Sequence, residues 1–309
     1  MNNIICLAGP TASGKTALAV ELAKELNGEV VSCDAMYVYK GMDIGTAKPT
    51  LEERQGIVHH MIDVAQPDED FSVSRYCEEA SPIVEDIVSR GKTAIITGGT
   101  GLYMDSLIKG NDFAPFPATG IREKLEQEAA EVGFEAMMEK LRPIDPEAAD
   151  RIHDLRRCIR ALEVYYETGE TITAHNKRTK QQPPKFRPLW LALDFENRAA
   201  LYNRIDRRVG IMLDMGLMEE IQALLARGIP KKCTAMQAIG YKEFVAALDG
   251  QCTIEEAADQ VRQSSRHYAK RQLTWLRRNE AIHWLIREEN TTGEEILARA
   301  RQVIRDFDN

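Results

Sequence analysis

Short apolar runs alternate along the chain with segments in which apolar residues recur every three or four positions. Such runs predict buried strands, and the three-to-four spacing predicts amphipathic helices between them. Because strands and helices alternate, we predict an α/β fold: a mostly parallel sheet flanked by helices and joined by right-handed crossovers. The predicted strands are Ile4–Ala8, Glu29–Cys33, His59–Val64, Thr93–Thr97, Leu189–Asp194 and Ile282–Ile286.

The strand pattern is interrupted in the middle of the chain. From Ile121 to about Gly169 the sequence reads as helix, and a strand pattern resumes only at Leu189. The composition changes near Phe113–Pro117, where two prolines fall close together. We therefore predict a core formed by residues 1–113 and 187–309 and an all-helical insertion domain at 114–186.

A glycine loop joins the first strand to a helix. The eight residues match the phosphate-binding pattern G-x-x-x-x-G-K-[ST] between a strand and a helix, the context that this motif requires. They are Gly9, Pro10, Thr11, Ala12, Ser13, Gly14, Lys15 and Thr16. The glycines let backbone N–H groups turn inward, Lys15 can reach the outer phosphate, and the Thr16 hydroxyl can ligate Mg²⁺. We predict a P-loop NTPase-like fold that binds a di- or triphosphate.

The acidic residue expected of a P-loop kinase is displaced. Many such kinases hold magnesium with an Asp after a later strand, but here that strand runs into Gly98–Gly101. An acid follows the second strand instead, at Asp34, on the same sheet edge as Thr100 and the glycine loop. This placement favours a carboxylate directed at an acceptor, although a cap or turn role for Asp34 is the alternative.

Charge is concentrated locally in an acidic chain. The net charge is −8, which argues against general affinity for nucleic acid. However, Arg262, Arg266, Lys270 and Arg277 share one face of a late helix at Glu255–Asn279, which suggests an anionic partner at a defined place. A solvated basic face is the alternative. Arg204 and Arg208 are candidates for holding a leaving pyrophosphate, with the same alternative.

Other classes of protein fit less well. The six cysteines are scattered and form no C-x-x-C pair, which predicts a reducing compartment and no zinc site. The pair His59-His60 is a poor metal site because adjacent strand residues face opposite ways. No apolar run is long enough to cross a bilayer, and no signal peptide is recognisable. We expect a cytoplasmic protein and, since nothing suggests a coiled coil, a monomer.

Six stretches together resemble the bacterial tRNA dimethylallyltransferase family, and the resemblance extends essentially from end to end. The stretches are Gly9–Thr16, Asp34–Pro49, Gly98–Tyr103, Arg157–Gly169, Ala235–Glu243 and Tyr268–Trp275. The resemblance implies transfer of a dimethylallyl group from dimethylallyl diphosphate to N6 of the adenosine 3′ of the anticodon. It also implies that Asp34 accepts the amine proton, and that Thr100 and Lys15 act at the reacting centre.

The resemblance implies two binding sets besides the catalytic group. Residues 9–16 and Arg208 would hold the diphosphate, with Mg²⁺ on Thr16. The anticodon stem-loop of tRNA would contact Asp34, Ala35, Met36, Tyr37, Thr100, Arg122, Arg156, Arg157, Cys158, Ile159, Arg160, Gln237, Lys242, Arg266 and Lys270.

Three alternative functions are consistent with parts of the pattern. A P-loop small-molecule or nucleotide kinase would use ATP in the loop, but it leaves the missing strand-end acid and the basic helix unexplained. A nucleotide-dependent RNA-binding module explains the basic helix and leaves Asp34 and the Gly98–Gly101 turn without a role. A prenyltransferase acting on free adenine nucleotides explains Asp34 but not the large insertion.

Overall fold

A computed structural model describes residues 3–110 and 119–308 of the chain. Contacts between residues divide it into two compact units: residues 1–108 with 186–309, and residues 109–185. We call the first the sheet unit and the second the helical unit. The predicted limit of the insertion at residues 113 and 114, and the Phe113–Pro117 segment, lie outside the described residues.

The sheet unit contains six parallel strands in the order β3-β2-β4-β1-β5-β6. The strands are β1 (Ile4–Ala8), β2 (Gly28–Ser32), β3 (His59–His60), β4 (Thr93–Thr97), β5 (Leu189–Phe195) and β6 (Ile282–Arg287). The α/β class with a parallel sheet is thereby confirmed. After β1, the chain places β2, β3 and β4 on one side of that strand, and it later places β5 and β6 on the other side. The strand order therefore reverses at β1.

Helices cover the sheet and form the helical unit. The sheet unit has α1 (Lys15–Glu25), α2 (Leu51–Arg54), α3 (Val73–Ser89) and α4 (Gly101–Lys109), whose last residue already belongs to the helical unit. The helical unit has α5 (Ile121–Leu141), α6 (Pro146–Ala149), α7 (Leu155–Thr168) and α8 (Ile172–Gln181). The sheet unit continues with α9 (Arg198–Asp214), α10 (Leu217–Ala226), α11 (Lys242–Leu248), α12 (Ile254–Leu276) and α13 (Gly293–Asp308).

Alternation along the central strands fills both faces of the sheet. In β1, Ile5 and Leu7 pack with residues of α1 and α13, whereas Cys6 and Ala8 join the larger core that includes α3, α4, α9 and α12. All five residues of β1 are buried, as expected for a parallel strand covered on both faces. The phosphate loop therefore follows a fully buried strand that pairs with a neighbour on each side.

The third predicted strand is wrong in its extent. It was expected to run to Val64, but β3 ends at His60. Met61 and Asp63 have φ values of 59° and 58°, in the left-handed region, where an extended strand cannot continue. The Asp63 N–H instead donates to the Tyr37 carbonyl at 3.0 Å. The segment after β3 thus contacts the loop that follows Asp34, rather than prolonging the sheet.

The helical unit has its own apolar core. Leu125, Met137, Leu141 and Leu162 are buried there, and α5 contains a break at Gly133, whose φ and ψ are 81° and 177°. Asp145 begins α6 as its N-cap and also accepts hydrogen bonds from Thr173. Among the residues described in either unit, no helix combines the length and apolarity needed to cross a membrane.

Candidate functional site

The phosphate loop, Gly9–Thr16, has the backbone conformation of an anion-binding cradle. Gly9 and Gly14 have φ values of 148° and 92°, and a Cβ at Gly9 would lie 3.0 Å from the Leu193 carbonyl oxygen. Gly14 is the N-cap of α1, and no side chain caps this helix. The first N–H groups of α1 therefore keep their capacity to bind an anion, and the helix dipole adds to it.

Two hydroxyls of the loop are consistent with a polyanionic ligand. The Ser13 Oγ atom is fully buried and has no hydrogen-bond partner among the described residues. The Thr16 hydroxyl, in the first turn of α1, makes no hydrogen bond to any residue that the structure describes. Because buried polar atoms are nearly always satisfied, the Ser13 hydroxyl points to a group that binds in this loop.

Lys15 folds back over the loop. Its ammonium donates to the carbonyl oxygens of Gly9 at 3.0 Å and Pro10 at 2.8 Å. Burial lowers the pKa of Lys15 to about 8; the charge of Asp34 opposes this shift and the charge of Arg208 adds to it. Lys15 therefore interacts electrostatically with both predicted partners, the carboxylate on the acceptor side and the arginine on α9.

Asp34 lies directly after β2, at the carboxyl edge of the sheet. Its Oδ1 accepts a hydrogen bond from the Met36 N–H at 2.9 Å. Burial raises the pKa of the Asp34 carboxyl, while the Met36 N–H and the Lys15 charge act in the opposite direction. A carboxylate that is partly desolvated but still hydrogen-bonded is suited to accept a proton, because its pKa is closer to the working pH.

The turn after β4 is held against the same segment. Thr100 Oγ1 accepts from the Ala35 N–H at 3.0 Å, and the Thr100 N–H donates to the Cys33 carbonyl at 3.2 Å. These contacts follow from the pairing of β2 with β4, which places the ends of the two strands side by side. The structure thus brings together Asp34, Thr100 and Lys15, the three residues predicted to act at the reacting centre.

Residues 98–101, which we call the glycine turn, allow α12 to approach closely. A Cβ at Gly98 would lie 2.0 Å from the Cys33 carbonyl oxygen, and one at Gly101 would lie 2.3 Å from the Trp275 ring. Side chains larger than hydrogen are therefore excluded at these positions. Gly98 and Gly101 belong to the turn that stands where a P-loop kinase has its strand-end acid. In this fold glycine is required there because the neighbouring atoms leave no room for a side chain.

The sequence reasoning missed Gln272, which joins the phosphate loop to the glycine turn. Gln272 is 6% exposed; its Oε1 accepts from the Thr11 N–H at 2.8 Å and its Nε2 donates to the Gly99 carbonyl at 2.9 Å. Tyr268, one turn earlier on α12, donates its hydroxyl proton to the same carbonyl at 3.2 Å. The sequence did contain a signal for this residue. Gln272 is a polar residue on the apolar face of α12 that carries Ala269 and Leu273, and it lies within the Tyr268–Trp275 stretch.

The two arginines considered for the diphosphate occupy α9. Arg204 donates from Nε to the Ala12 carbonyl at 2.9 Å, so it supports the loop directly. The charge of Arg208 contributes to the lowered pKa of Lys15. Arg287, at the end of β6, was not singled out; its Nη2 would lie 3.4 Å from a Cβ at Gly14. The loop is therefore surrounded by cationic side chains from two further elements.

The predicted tRNA-contacting residues of the sheet unit fall into two groups. Ala35, Met36 and Tyr37 follow Asp34 directly, and the Tyr37 hydroxyl donates to the Ala47 carbonyl at 2.7 Å. The others, apart from Thr100 in the glycine turn, lie after α10: Gln237 donates to the Lys231 carbonyl at 2.8 Å, and Lys242 begins α11. Their part in binding tRNA stays a prediction.

The basic face of α12 is less uniformly positive than its sequence suggests. Arg266 donates to both carboxylate oxygens of Asp206 at 2.8 Å. Arg262 and Arg277 also form ion pairs with acids, at 2.6 Å to Asp259 and 3.5 Å to Asp194. Lys270 is exposed and pairs with no acid among the described residues. Of the four cations, Lys270 is therefore the one whose charge is most available to a polyanion.

The predicted tRNA-contacting residues of the helical unit lie on α5 and α7. Arg122 and Arg160 both pair with Glu163, and Arg157 pairs with Asp154. Arg156 is exposed. Two further members of the predicted set, Cys158 and Ile159, are 0% and 5% exposed in the core of this unit. Their side chains therefore pack in that core, and the part of these two residues in binding tRNA stays a prediction.

Residues 3–110 and 119–308 contain no group of three or more His, Cys, Asp or Glu side chains that could hold a metal ion. The His60 ring pairs with Glu29, and all six cysteines are free thiols.

Comparison with known proteins gives consistent matches. The family model "IPP transferase" matches residues 37–279. A tRNA dimethylallyltransferase of Acetivibrio thermocellus is 43% identical, covering 99% of both chains, and one of Caldanaerobacter subterraneus is 47% identical, covering 95% of this chain and 94% of its own.

Solved structures agree with these relatives. The full-length tRNA isopentenylpyrophosphate transferase of Bacillus halodurans superposes with a TM-score of 0.75 at 40% identity, covering 100% of this chain and 97% of its own. A eukaryotic dimethylallyltransferase described as acting on tRNA superposes with a TM-score of 0.81 at 29% identity, covering 99% of this chain and 80% of its own. The likeness therefore extends over both units.

Proposed function

Because the chain belongs to the IPP transferase family, we propose that it transfers a dimethylallyl group from dimethylallyl diphosphate to N6 of the adenosine 3′ of the anticodon in tRNA, releasing diphosphate. It is a prenyltransferase enzyme whose acceptor is tRNA, in line with the relatives that carry this name. The allylic donor, the modified position and the roles of individual residues are the parts that we propose.

One observation carries the proposal: the Asp34 carboxyl lies at the same sheet edge as the phosphate loop and interacts with the Lys15 ammonium. Many P-loop kinases hold magnesium with an acid after the strand next to the loop, but that position is taken here by the glycine turn. An acid across the site from the phosphate cradle is suited instead to a nucleophile that must lose a proton.

The donor half of the site would hold the diphosphate. The first N–H groups of α1, the buried Ser13 hydroxyl and Lys15 all belong to the loop or to the start of α1. From α9, Arg204 bonds to the loop and the charge of Arg208 acts on Lys15. These groups stabilise negative charge that builds on the diphosphate as the allylic C–O bond breaks. Lys15 would exchange its two carbonyl contacts within the loop for phosphate oxygens.

The acceptor half would activate the adenosine amine. The N6 lone pair is delocalised into the ring, so the amine is a weak nucleophile. As the N6–C bond forms, the allylic C–O bond breaks, its electron pair leaves with the diphosphate, and the proton of N6 passes to the Asp34 carboxylate. Thr100, whose hydroxyl is fixed by the Ala35 N–H, would contact the base beside this carboxylate.

We propose that Mg²⁺ takes part through the donor. The Thr16 hydroxyl, without a partner among the described residues, fits a single protein ligand at the start of α1. Magnesium commonly keeps several waters and binds through one or two protein groups together with substrate phosphates. When bound there, it would supply positive charge to the leaving diphosphate. The remaining chemistry is assigned to the residues of the chain.

The acceptor must leave its stacked position to reach Asp34. Unstacking a base of a single-stranded loop costs a few kcal/mol, less than opening a base pair, which favours anticodon loops over duplex RNA. We propose that Lys270 contributes to holding the anticodon stem and, as a separate proposal, that the exposed Arg156 of the helical unit contacts tRNA. Since all groups of the proposed centre come from one chain, we propose that the enzyme acts as a monomer, in the cytoplasm, where tRNA is used.

Incubation with radiolabelled dimethylallyl diphosphate, Mg²⁺ and unmodified tRNA tests the proposal. We expect label in the tRNA, and nucleoside analysis should identify N6-dimethylallyladenosine. The matched control is the same tRNA with guanosine in place of that adenosine, which should remain unlabelled. Label in the control, or release of phosphate from ATP in a parallel reaction with small-molecule acceptors, would contradict the proposed reaction.

A further inference from the structure

Glu220 on α10 accepts an unusual number of hydrogen bonds. Its Oε2 accepts from the N–H groups of Asp43 and Ile44, both at 2.8 Å. Its Oε1 accepts from the Gly45 N–H at 3.1 Å and from the Tyr241 hydroxyl at 2.6 Å. Three consecutive backbone N–H groups therefore converge on one carboxylate, with a tyrosine completing the set. Hydrogen bonds to a charged acceptor are stronger than neutral ones, so this cluster fixes the backbone firmly.

The tyrosine also presses against the same backbone. A Cβ at Gly45 would lie 2.6 Å from the Tyr241 ring and 2.9 Å from Leu217 Cδ1, so only glycine fits there. Burial raises the pKa of Tyr241, and the charge of Glu220 raises it further. The phenol thus stays protonated and remains a donor at any working pH. Glu220 and Tyr241 together clamp residues 43–47, which we call the 43–47 turn.

The 43–47 turn is joined to the proposed proton acceptor by two short links. The Tyr37 hydroxyl donates to the Ala47 carbonyl at 2.7 Å. The Asp34 Oδ1 accepts from the Met36 N–H at 2.9 Å, one residue before Tyr37. The orientation of the Asp34 carboxyl therefore depends on the path of residues 34–37. That path is tied through Tyr37 to a turn which Glu220 holds in place.

A second anchor keeps the same region folded. The Lys48 ammonium, on a side chain that is 3% exposed, pairs with Asp43 and Asp63 at 2.6 Å. It also donates to the Tyr39 carbonyl at 2.7 Å. Because this anchor does not involve Glu220, loss of the carboxylate should shift the 43–47 turn without unfolding it. The effect of a Glu220 substitution can then be attributed to a displaced 43–47 turn and not to an unfolded one.

We propose that Glu220 is a positioning residue for the acceptor side of the reaction: it holds the 43–47 turn, and through Tyr37 it sets the Asp34 carboxylate where the adenosine amine must lose its proton. This inference rests on the proposed function of Asp34. It assigns a role in turnover to a residue of α10 whose hydrogen bonds go to residues 43–45 and Tyr241 rather than to the phosphate loop or the glycine turn.

Kinetic analysis of Glu220→Gln tests this role. An amide offers one accepting oxygen, so its NH₂ group must face two of the four donors, and the turn has to move. We expect kcat for prenyl transfer to fall roughly 10- to 100-fold, as small displacements of a reacting group do. The KM for dimethylallyl diphosphate should stay unchanged, since the loop is not involved. The matched control Glu219→Gln changes the exposed neighbour on the same helix and should behave as wild type.

A double-mutant cycle with Tyr37→Phe separates positioning from simple stabilisation. If Glu220 acts through Tyr37, the two substitutions lower kcat less together than the product of their separate effects. Fully multiplicative effects would overturn the proposal. So would a Glu220→Gln variant whose melting temperature falls while kcat per active site stays at the wild-type value. The wild-type enzyme separates the two proposals. If it modifies tRNA in the same assay, a negative result for Glu220→Gln counts against the positioning role alone. If it does not modify tRNA, the proposed function itself is wrong.

Discussion

The link between the phosphate loop and the glycine turn through Gln272 makes a quantitative prediction. In Gln272→Leu, the side chain keeps its approximate size but loses both hydrogen bonds, to the Thr11 N–H and the Gly99 carbonyl. The Gly99 carbonyl retains the Tyr268 hydroxyl at 3.2 Å, whereas the Thr11 N–H loses its acceptor. The substitution therefore weakens mainly the phosphate loop, because the Thr11 N–H belongs to it.

The expected size follows from these two losses. An unsatisfied donor costs about 1–3 kcal/mol and a lost neutral hydrogen bond about 0.5–1.5 kcal/mol. Because Thr11 is only half-buried and water reaches part of it, we expect the free energy of unfolding to fall by about 2 kcal/mol. If half of this energy holds the loop in its binding conformation, about 1 kcal/mol, the KM for dimethylallyl diphosphate rises roughly fivefold.

Two measurements check this prediction. Urea denaturation gives the free energy of unfolding, and initial rates at varied donor with saturating tRNA give the KM. The matched control is Gln263→Leu, which makes the same substitution at an exposed position of α12. A KM indistinguishable from that of the control would refute the reasoning, even with lowered stability, because the link would then support the fold without shaping the loop.

Three further predictions concern the charges of the site. Asp34→Asn should reduce prenyl transfer at least 100-fold and leave tRNA affinity within a few fold; full turnover would remove the proton-acceptor role. Because the pKa of Lys15 is about 8, binding of dimethylallyl diphosphate should restore its charge and take up about half a proton at pH 8 and almost none at pH 6.5. Calorimetry in buffers of different ionisation enthalpy measures this uptake, and Lys15→Arg, always charged, should abolish it; persistence in that variant would place the proton elsewhere. Lys270→Ala should weaken tRNA binding and flatten its salt dependence more than Arg266→Ala, since Asp206 already offsets the charge of Arg266; equal slopes in filter-binding titrations would contradict this.

The position of Asp34 beside the glycine turn depends both on the local sequence and on the tertiary structure. That an acid follows the second strand is visible in the sequence, and so is the glycine turn after the fourth. Their contact depends on β2 pairing with β4 and on β4 lying beside β1, an order that alternation of strands and helices does not specify. The third strand was predicted to continue past His60 because Ile62 and Val64 are apolar. In the structure these two residues belong to a segment that turns toward Tyr37.

The sequence by itself determined the features that depend on neighbours along the chain: the phosphate loop between a strand and a helix, the central strands, and the helical middle section. These follow from periodicity and from backbone demands that only certain residues meet. Only the tertiary structure decided which side chains support the site. Gln272 reaches Thr11 across 261 residues and Arg204 reaches Ala12 across 192, contacts that arise from the packing of α9 and α12 on the sheet. The burial of Cys158 and Ile159 was decided in the same way, because a helix face becomes core or surface only when its neighbours are in place.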